Sequence, residues 1–203
     1  DVTAINGDLL SGIAVGNKRL QTFGFKAGTG HQCVSIGNSA FSDCRNLRSV
    51  DIGDSVRTIG ESAFDSCSNL ASVDIGGSVT SIGSNAFRSC YNLASVVIPN
   101  SVTSIGIDAF SYCSNLASVD IPNSVTTIGR YAFLDCIILA SVTFKANINT
   151  TIGNSAFAGT AAERSTGVGD GYNDQTTLSE LTTFSHNSDV IFTRETITLA
   201  TAR

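Results

Sequence analysis

Six cysteines occur in the 203 residues, and five of them, Cys44, Cys67, Cys90, Cys113 and Cys136, recur every 23 residues. Cysteine chemistry divides among metal ligation, cross-linking and thiolate nucleophilicity. Zinc sites pair ligands a few residues apart and close a tetrahedron, whereas this spacing yields a row of sulfurs, so neither a metal nor any other cofactor is expected. If equivalent residues stack about 5 Å apart, neighbouring cysteines fall within the Cα range of a disulfide. Stacked equivalents point the same way, however, and a disulfide needs side chains that converge. The expectation is a ladder of buried thiols acting as small hydrophobes, with bridged neighbours as the alternative. Cys33 sits in another phase, where later units carry Val56, Val79, Val102 and Val125, and is also expected to face the core.

Other routes to catalysis are poorly supplied. His31 and His186 are the only histidines, and neither has a nucleophile placed against it in sequence. The run Gly167-Val168-Gly169-Asp170-Gly171 lacks the Gly-Lys-Ser/Thr of a phosphate-binding loop and, with Asn173 and Asp174, lacks the ligand spacing of a calcium loop. It reads as an insertion. No catalytic residue is assigned, and no enzymatic activity is expected.

What positions the cysteines is a repeat. Ile36-Gly37-x-x-Ala40-Phe41-x-x-Cys44-x-x-Leu47-x-Ser49-Val50-x-Ile52 returns from Ile59, Ile82, Ile105 and Ile128. A fixed period of this length means a solenoid, because one unit cannot bury its own apolar face. Within a unit, Val73 and Ile75 alternate around Asp74, the period of a strand with Asp74 facing solvent. Gly76-Gly77, or Pro99-Asn100 and Pro122-Asn123, then turn the chain into a second extended piece such as Val79-Thr80-Ser81-Ile82. Gly83 breaks that piece, and Ala86, Phe87 and Cys90 follow at a spacing that predicts one or two helical turns. The fold class expected is an α/β solenoid, with a parallel sheet on one face and short helices on the other.

Two weaker copies flank the regular ones: Leu20-Gln21-Thr22-Phe23-Gly24-Phe25 upstream and Leu181-Thr182-Thr183-Phe184-Ser185-His186 downstream, both with phenylalanine at the valine position. They bring the expected count to about seven turns. A single domain over 1–203 follows: a degenerate N-terminal cap repeat at 1–32, regular repeats at 33–160, a loop insertion at 161–178, and a degenerate C-terminal repeat with a strand cap at 179–203.

The solvent-facing strand positions form two columns, Ser49, Ser72, Ser95, Ser118, Ser141 and Asp51, Asp74, Val97, Asp120, Thr143. This serine-lined, partly acidic sheet face is the expected partner-binding surface, its bland alternative being a face that merely keeps the sheet soluble. Tyr91, Tyr112, Leu134, Ile137 and Ile138 are expected to form an apolar edge on the later units.

The strand signature Leu-x-x-Val-x-Ile resembles that of leucine-rich repeats, and the whole unit resembles the BspA-like class of bacterial and protist surface proteins. Gly53 and Gly76 depart from it, standing where the class prefers proline. The resemblance implies an extracellular or cell-surface location and adhesion to proteins of a host or matrix. Net charge −5 with 14% charged residues speaks against nucleic acid as a partner. No stretch reaches the roughly 20 apolar residues of a membrane span. A chain that has no methionine and opens on Asp1 is expected to have lost an upstream segment. Asn149-Thr150-Thr151 is an N-glycosylation sequon, placing a possible glycan on Asn149. Two functions are carried forward: a noncatalytic protein-binding or adhesion module acting through the sheet face, and a structural subunit self-assembling end to end into a fibre or surface layer.

Overall fold

The computed structural model describes residues 16–24, 35–144, 150–160, 176–177 and 191–194. Short strands alternate between two faces of a parallel solenoid. One face carries Thr22–Gly24 (β1), Ser49–Asp51 (β3), Ser72–Asp74 (β5), Ser95–Val97 (β7), Ser118–Ile121 (β9), Ser141–Phe144 (β11) and Ile191–Arg194 (β14). The other carries Ser35–Ile36 (β2), Thr58–Ile59 (β4), Ser81–Ile82 (β6), Ser104–Ile105 (β8), Thr127–Ile128 (β10), Thr151–Ile152 (β12) and Thr176–Thr177 (β13). Register follows the repeat: Val50 stands opposite Val73, Val73 opposite Val96, and Ile82 opposite Ile105. The degenerate upstream copy keeps it, with Phe23 opposite Val50.

The third side corrects an expectation. Among the described residues there is no helix; the segments expected to be helical are chains of tight turns. In the first regular unit Ser39 and Asp43 take φ of 55° and 58°, and later units do the same at Ser62 and Ser66, Asn85 and Ser89, or Asp108 and Tyr112. A left-handed residue every fourth position ends any run of helical dihedrals. Amide destinations explain why this conformation wins. Ala40, Ser42 and Cys44 donate three residues back within their turn, while Ser39, Phe41 and Asp43 donate to Glu61, Ala63 and Asp65 of the next. A helix would turn these amides inward along its own axis and leave none to join turns on this side.

The core is a set of columns. Phe41, Phe64, Phe87, Phe110, Phe133 and Phe157 stack nearly parallel with centroids 5.1–5.3 Å apart. Ala, Cys, Leu, Val and Ile fill the remaining columns, all buried. Asparagines line one corner: the Nδ2 of Asn92 donates to Oδ1 of Asn69, and that of Asn115 to Oδ1 of Asn92, at 3.1 and 3.3 Å. The asparagine column ends where Ile138 replaces it.

The described residues account for about five complete turns of the expected seven. The downstream copy at 181–184 lies outside them, as do Cys33, His31, His186 and Asn149. Beside β11 runs β14, parallel, with Ser141 opposite Ile191. Inside the expected loop at 161–178, β13 pairs antiparallel with β12.

Close stacking dictates glycine at one column. A Cβ on Gly106 would lie 2.5 Å from the Ser84 amide nitrogen and 2.6 Å from the Gly83 carbonyl carbon, so backbone would have to move. At Gly77 the nearest atom is Asp54 Oδ1 at 3.4 Å. Gly106→Ala is therefore expected to lower the unfolding free energy by about 1–3 kcal/mol, and Gly77→Ala to change it by no more than about 0.5 kcal/mol. Urea denaturation of the two variants checks the contrast.

Candidate functional site

The two candidate columns are set by strand alternation on the first face. Val50, Val73, Val96, Val119 and Val142 turn inward and are buried. Their neighbours turn outward: Asp51, Ser72, Asp74, Ser95, Ser118 and Asp120 are exposed, Ser49, Ser141 and Thr143 half-buried, and Val97 is 78% exposed. Pairing lines Ser49, Ser72 and Ser95 in one row and Asp51, Asp74 and Val97 in the next. Ser118 pairs with Ser141, and Asp120 with Thr143, on the following strands. The ten residues thus lie on one side of the solenoid, in two adjacent sheets, β1-β3-β5-β7 and β9-β11-β14.

Part of the acidity has a local job. Oδ1 of Asp51 accepts the Gly53 N–H at 3.0 Å, and Oδ1 of Asp74 accepts the Gly76 N–H at 3.1 Å. Each carboxylate caps the corner after its strand. These corners hold Gly53 at φ 68° and Gly76 at φ 73°, a left-handed geometry closed to proline, which explains the departure from proline there. Where Pro99 offers no N–H, the carboxylate gives way to Val97. Pro122 likewise has no N–H to offer Asp120.

The thiol column lies within the core, on the turn side. Cys44, Cys67, Cys90, Cys113 and Cys136 are fully buried and no disulfide joins them. Each sulfur from Cys67 onward donates to the carbonyl of the phenylalanine 26 residues earlier: Cys67 to Phe41, Cys90 to Phe64, Cys113 to Phe87 and Cys136 to Phe110, at 3.1–3.3 Å. All four point back toward the preceding turn. Burial pushes every thiol up, Cys136 to about 12 and Cys90 and Cys113 well above the ordinary 9.0. For Cys44, burial outweighs a backbone hydrogen bond at Asn17. Among the described residues no group of His, Cys, Asp and Glu is arranged to hold a metal ion. Nucleophilic chemistry needs a thiolate, which these surroundings disfavour.

The expected apolar edge is only partly assembled. Tyr91, Ile137 and Ile138 are 46–48% exposed, while Tyr112 and Leu134 are half-buried. Ser114 separates Tyr91 from Ile137 in their shared column. Two further columns carry ordered polar groups. Besides the asparagines, the hydroxyls of Thr80, Thr103 and Thr126 donate to the carbonyl 23 residues earlier, at 3.1 Å each. Their signal in the sequence is the same residue type held at one phase of the repeat.

This geometry can be set beside known proteins. The profile of BspA type leucine rich repeat regions matches residues 34–163 in six copies. The chain belongs to the BspA-type leucine-rich repeat family. A T. pallidum leucine rich repeat protein shares 33% identity at a TM-score of 0.61, over 69% of this chain and 76% of that one. A leucine-rich repeat protein from Bacteroides ovatus shares 26% identity at TM-score 0.44, over 70% of this chain and 50% of its own. A leucine rich cell surface protein from Faecalibacterium prausnitzii shares 28% at TM-score 0.48, over 68% and 45%. No protein of curated function matches the sequence. The BspA-type repeat is generally a noncatalytic scaffold for protein interaction, and no described helix is long and apolar enough to cross a membrane.

The thiol column makes stability depend on alkaline pH. Folded values above 9.0 mean that folding favours the protonated thiol, so this stabilisation is complete below pH 9.0 and fades as pH rises, through about 12 for Cys136. Unfolding free energy is expected to be level near neutrality and to fall above pH 9 by on the order of 1 kcal/mol per pH unit for each of the strongly shifted thiols Cys67, Cys90, Cys113 and Cys136. Denaturant titrations across that range check it. Cys136→Ala should reduce the slope by one thiol's share.

Proposed function

We propose that this protein is a noncatalytic adhesion module of the extracellular space or cell surface, binding another protein through the sheet face of Ser49, Asp51, Ser72, Asp74, Ser95, Val97, Ser118, Asp120, Ser141 and Thr143. The observation that carries this reading is the face itself. Its strands are paired in register within each of two adjacent sheets and stand on a stacked core, so their outward side chains are held at fixed spacing before any partner arrives. Preorganisation of this kind reduces the entropy lost on binding. Membership of the BspA-type family supports the surface location. Protein partners fit a face that offers hydroxyls, carboxylates and an exposed valine; the net charge of −5 disfavours polyanions. A glycan on Asn149 would accompany secretion from a eukaryotic source.

End-to-end assembly is the second reading. It requires open sheet edges at the ends of the stack. The pairing of β14 with β11, and of β13 with β12, favours a chain that covers its own C-terminal edges.

Two experiments separate these readings. A panel of extracellular-matrix and cell-surface proteins is screened with the intact chain and with the combined Asp51→Lys, Asp74→Lys and Asp120→Lys variant. Loss of binding by about tenfold or more is expected, about 1.4 kcal/mol, and unchanged binding by a folded variant rejects the sheet face. Size measurement of the chain before and after deletion of residues 187–203 tests assembly. A cap predicts larger species only after deletion, and a polymer joint predicts them only before.

A further inference from the structure

The thiol ladder is used by neither reading above, and its geometry carries a consequence of its own. Each internal cysteine ties two turns together. The amide of Cys67 donates to the Phe64 carbonyl of its own turn, while its sulfur donates to the Phe41 carbonyl of the turn before; Cys90 repeats this with Phe87 and Phe64. The sulfurs therefore all lean in one direction along the stack. A disulfide needs Cβ atoms about 3.8 Å apart and side chains turned toward each other. Turns here are 5.1–5.3 Å apart, as the phenylalanine rings show, and equivalent side chains are parallel. Bridging two neighbours would pull adjacent turns together on one side, against ring stacks and backbone bonds that fix the spacing on every side. Cysteines two turns apart are farther still.

In the unfolded chain every one of these obstacles is gone. Successive thiols are separated by 23 residues, a loop that closes at modest entropic cost. They are then solvated, with the thiolate accessible near its ordinary pKa. The same five sulfurs are thus open to oxidation before folding and sealed after it, at zero exposure. Thr160 takes the next position of this column, a buried hydroxyl donating to the Phe157 carbonyl at 2.7 Å, so an oxidation-proof donor is sterically acceptable there.

From this we infer that the cysteine column is a redox gate on folding: the solenoid forms only from the reduced chain, and once formed it shields its thiols from disulfide oxidants. The gating reaction is thiol–disulfide exchange with a small disulfide such as oxidised glutathione. Two protein thiols lose their protons and one S–S bond forms between them; the oxidant's S–S bond breaks and it leaves as two thiols. Folding and oxidation therefore compete for the nascent chain. A protein of this design placed in an oxidising compartment has to fold before it is oxidised.

The test uses the full chain carrying Cys33→Ser, so that only the column is read; wild type with mass mapping of each alkylated cysteine serves if that variant does not fold. Folded protein and urea-unfolded protein are incubated with oxidised glutathione, and remaining thiols are titrated after denaturation. Oxidation of the folded form is expected to be slowed by about a hundredfold or more, since it must await opening of the stack; any smaller protection overturns the gate. The unfolded, oxidised chain is then freed of urea. It is expected to lack the native circular dichroism and thermal transition until dithiothreitol is added, which restores both. A native spectrum and transition in the absence of reductant overturns the inference.

Discussion

From Ser39 to Asp135 each turn gives half of its turn-side amides to the next one, and that single habit fixes the rest. Phe41, Asp43 and Ser39 donate forward to Ala63, Asp65 and Glu61, and the strands do the same on the other two sides. The spacing between turns is thereby set by backbone bonds and cannot be adjusted to suit side chains. Each residue must accept its own counterpart as a neighbour about 5 Å away. Phenylalanine meets phenylalanine as a parallel stack, and glycine meets glycine where a Cβ would strike backbone. Side chains that do well against copies of themselves are the ones kept in the interior columns. Nearest-neighbour coupling of this sort makes stability a sum over turns.

The same constraint separates scaffold from surface. Interior columns are uniform because an odd residue disturbs two neighbours. Outward columns are free to vary, and the variation that does occur has local causes in part. Asp51 and Asp74 hold glycine corners, and Val97 appears beside the first proline corner. Asp120 keeps the carboxylate beside the second proline corner, at Pro122. Any recognition must be written in such residues, on a face whose backbone positions are set by the stack.

This logic also explains what the sequence made legible. A period of 23 with alternating Val and Ile announces stacked strands, and the phase of Phe23 announces its place opposite Val50, because both are statements about which face a side chain takes. The burial of the thiols and the lack of bridges among them followed from the parallel direction of stacked equivalents. The turn side was misread as helical because Ala86, Phe87 and Cys90 suit either structure. What decides is whether the amides bond within the segment or across to the next turn, and spacing within one unit carries no information on that. The asparagine and threonine columns were visible as constant phases, but their meaning depends on an amide or hydroxyl reaching the preceding turn. Which strand residues point outward follows from period-2 alternation alone, whereas what such residues would bind is not written in the repeat.

A stack in which each turn fits a copy of itself has no intrinsic reason to stop, so its ends need a departure from the pattern. The aromatic column shows one on its N-terminal side. There Phe23, from β1, tilts by 49° against Phe41 with centroids 4.5 Å apart. From Phe41 to Phe157 the rings lie within 8° of parallel. Phe23 comes from the strand face rather than from the phenylalanine column, so it packs on the first described ring without offering a parallel ring face to another. Phe144, from β11, is a second ring outside the column: it stands in the phase of Ile121 and meets Phe157 edge-on at 82° and 6.3 Å. The residue type that propagates the stack thus also packs against its flank when it is placed in a different phase.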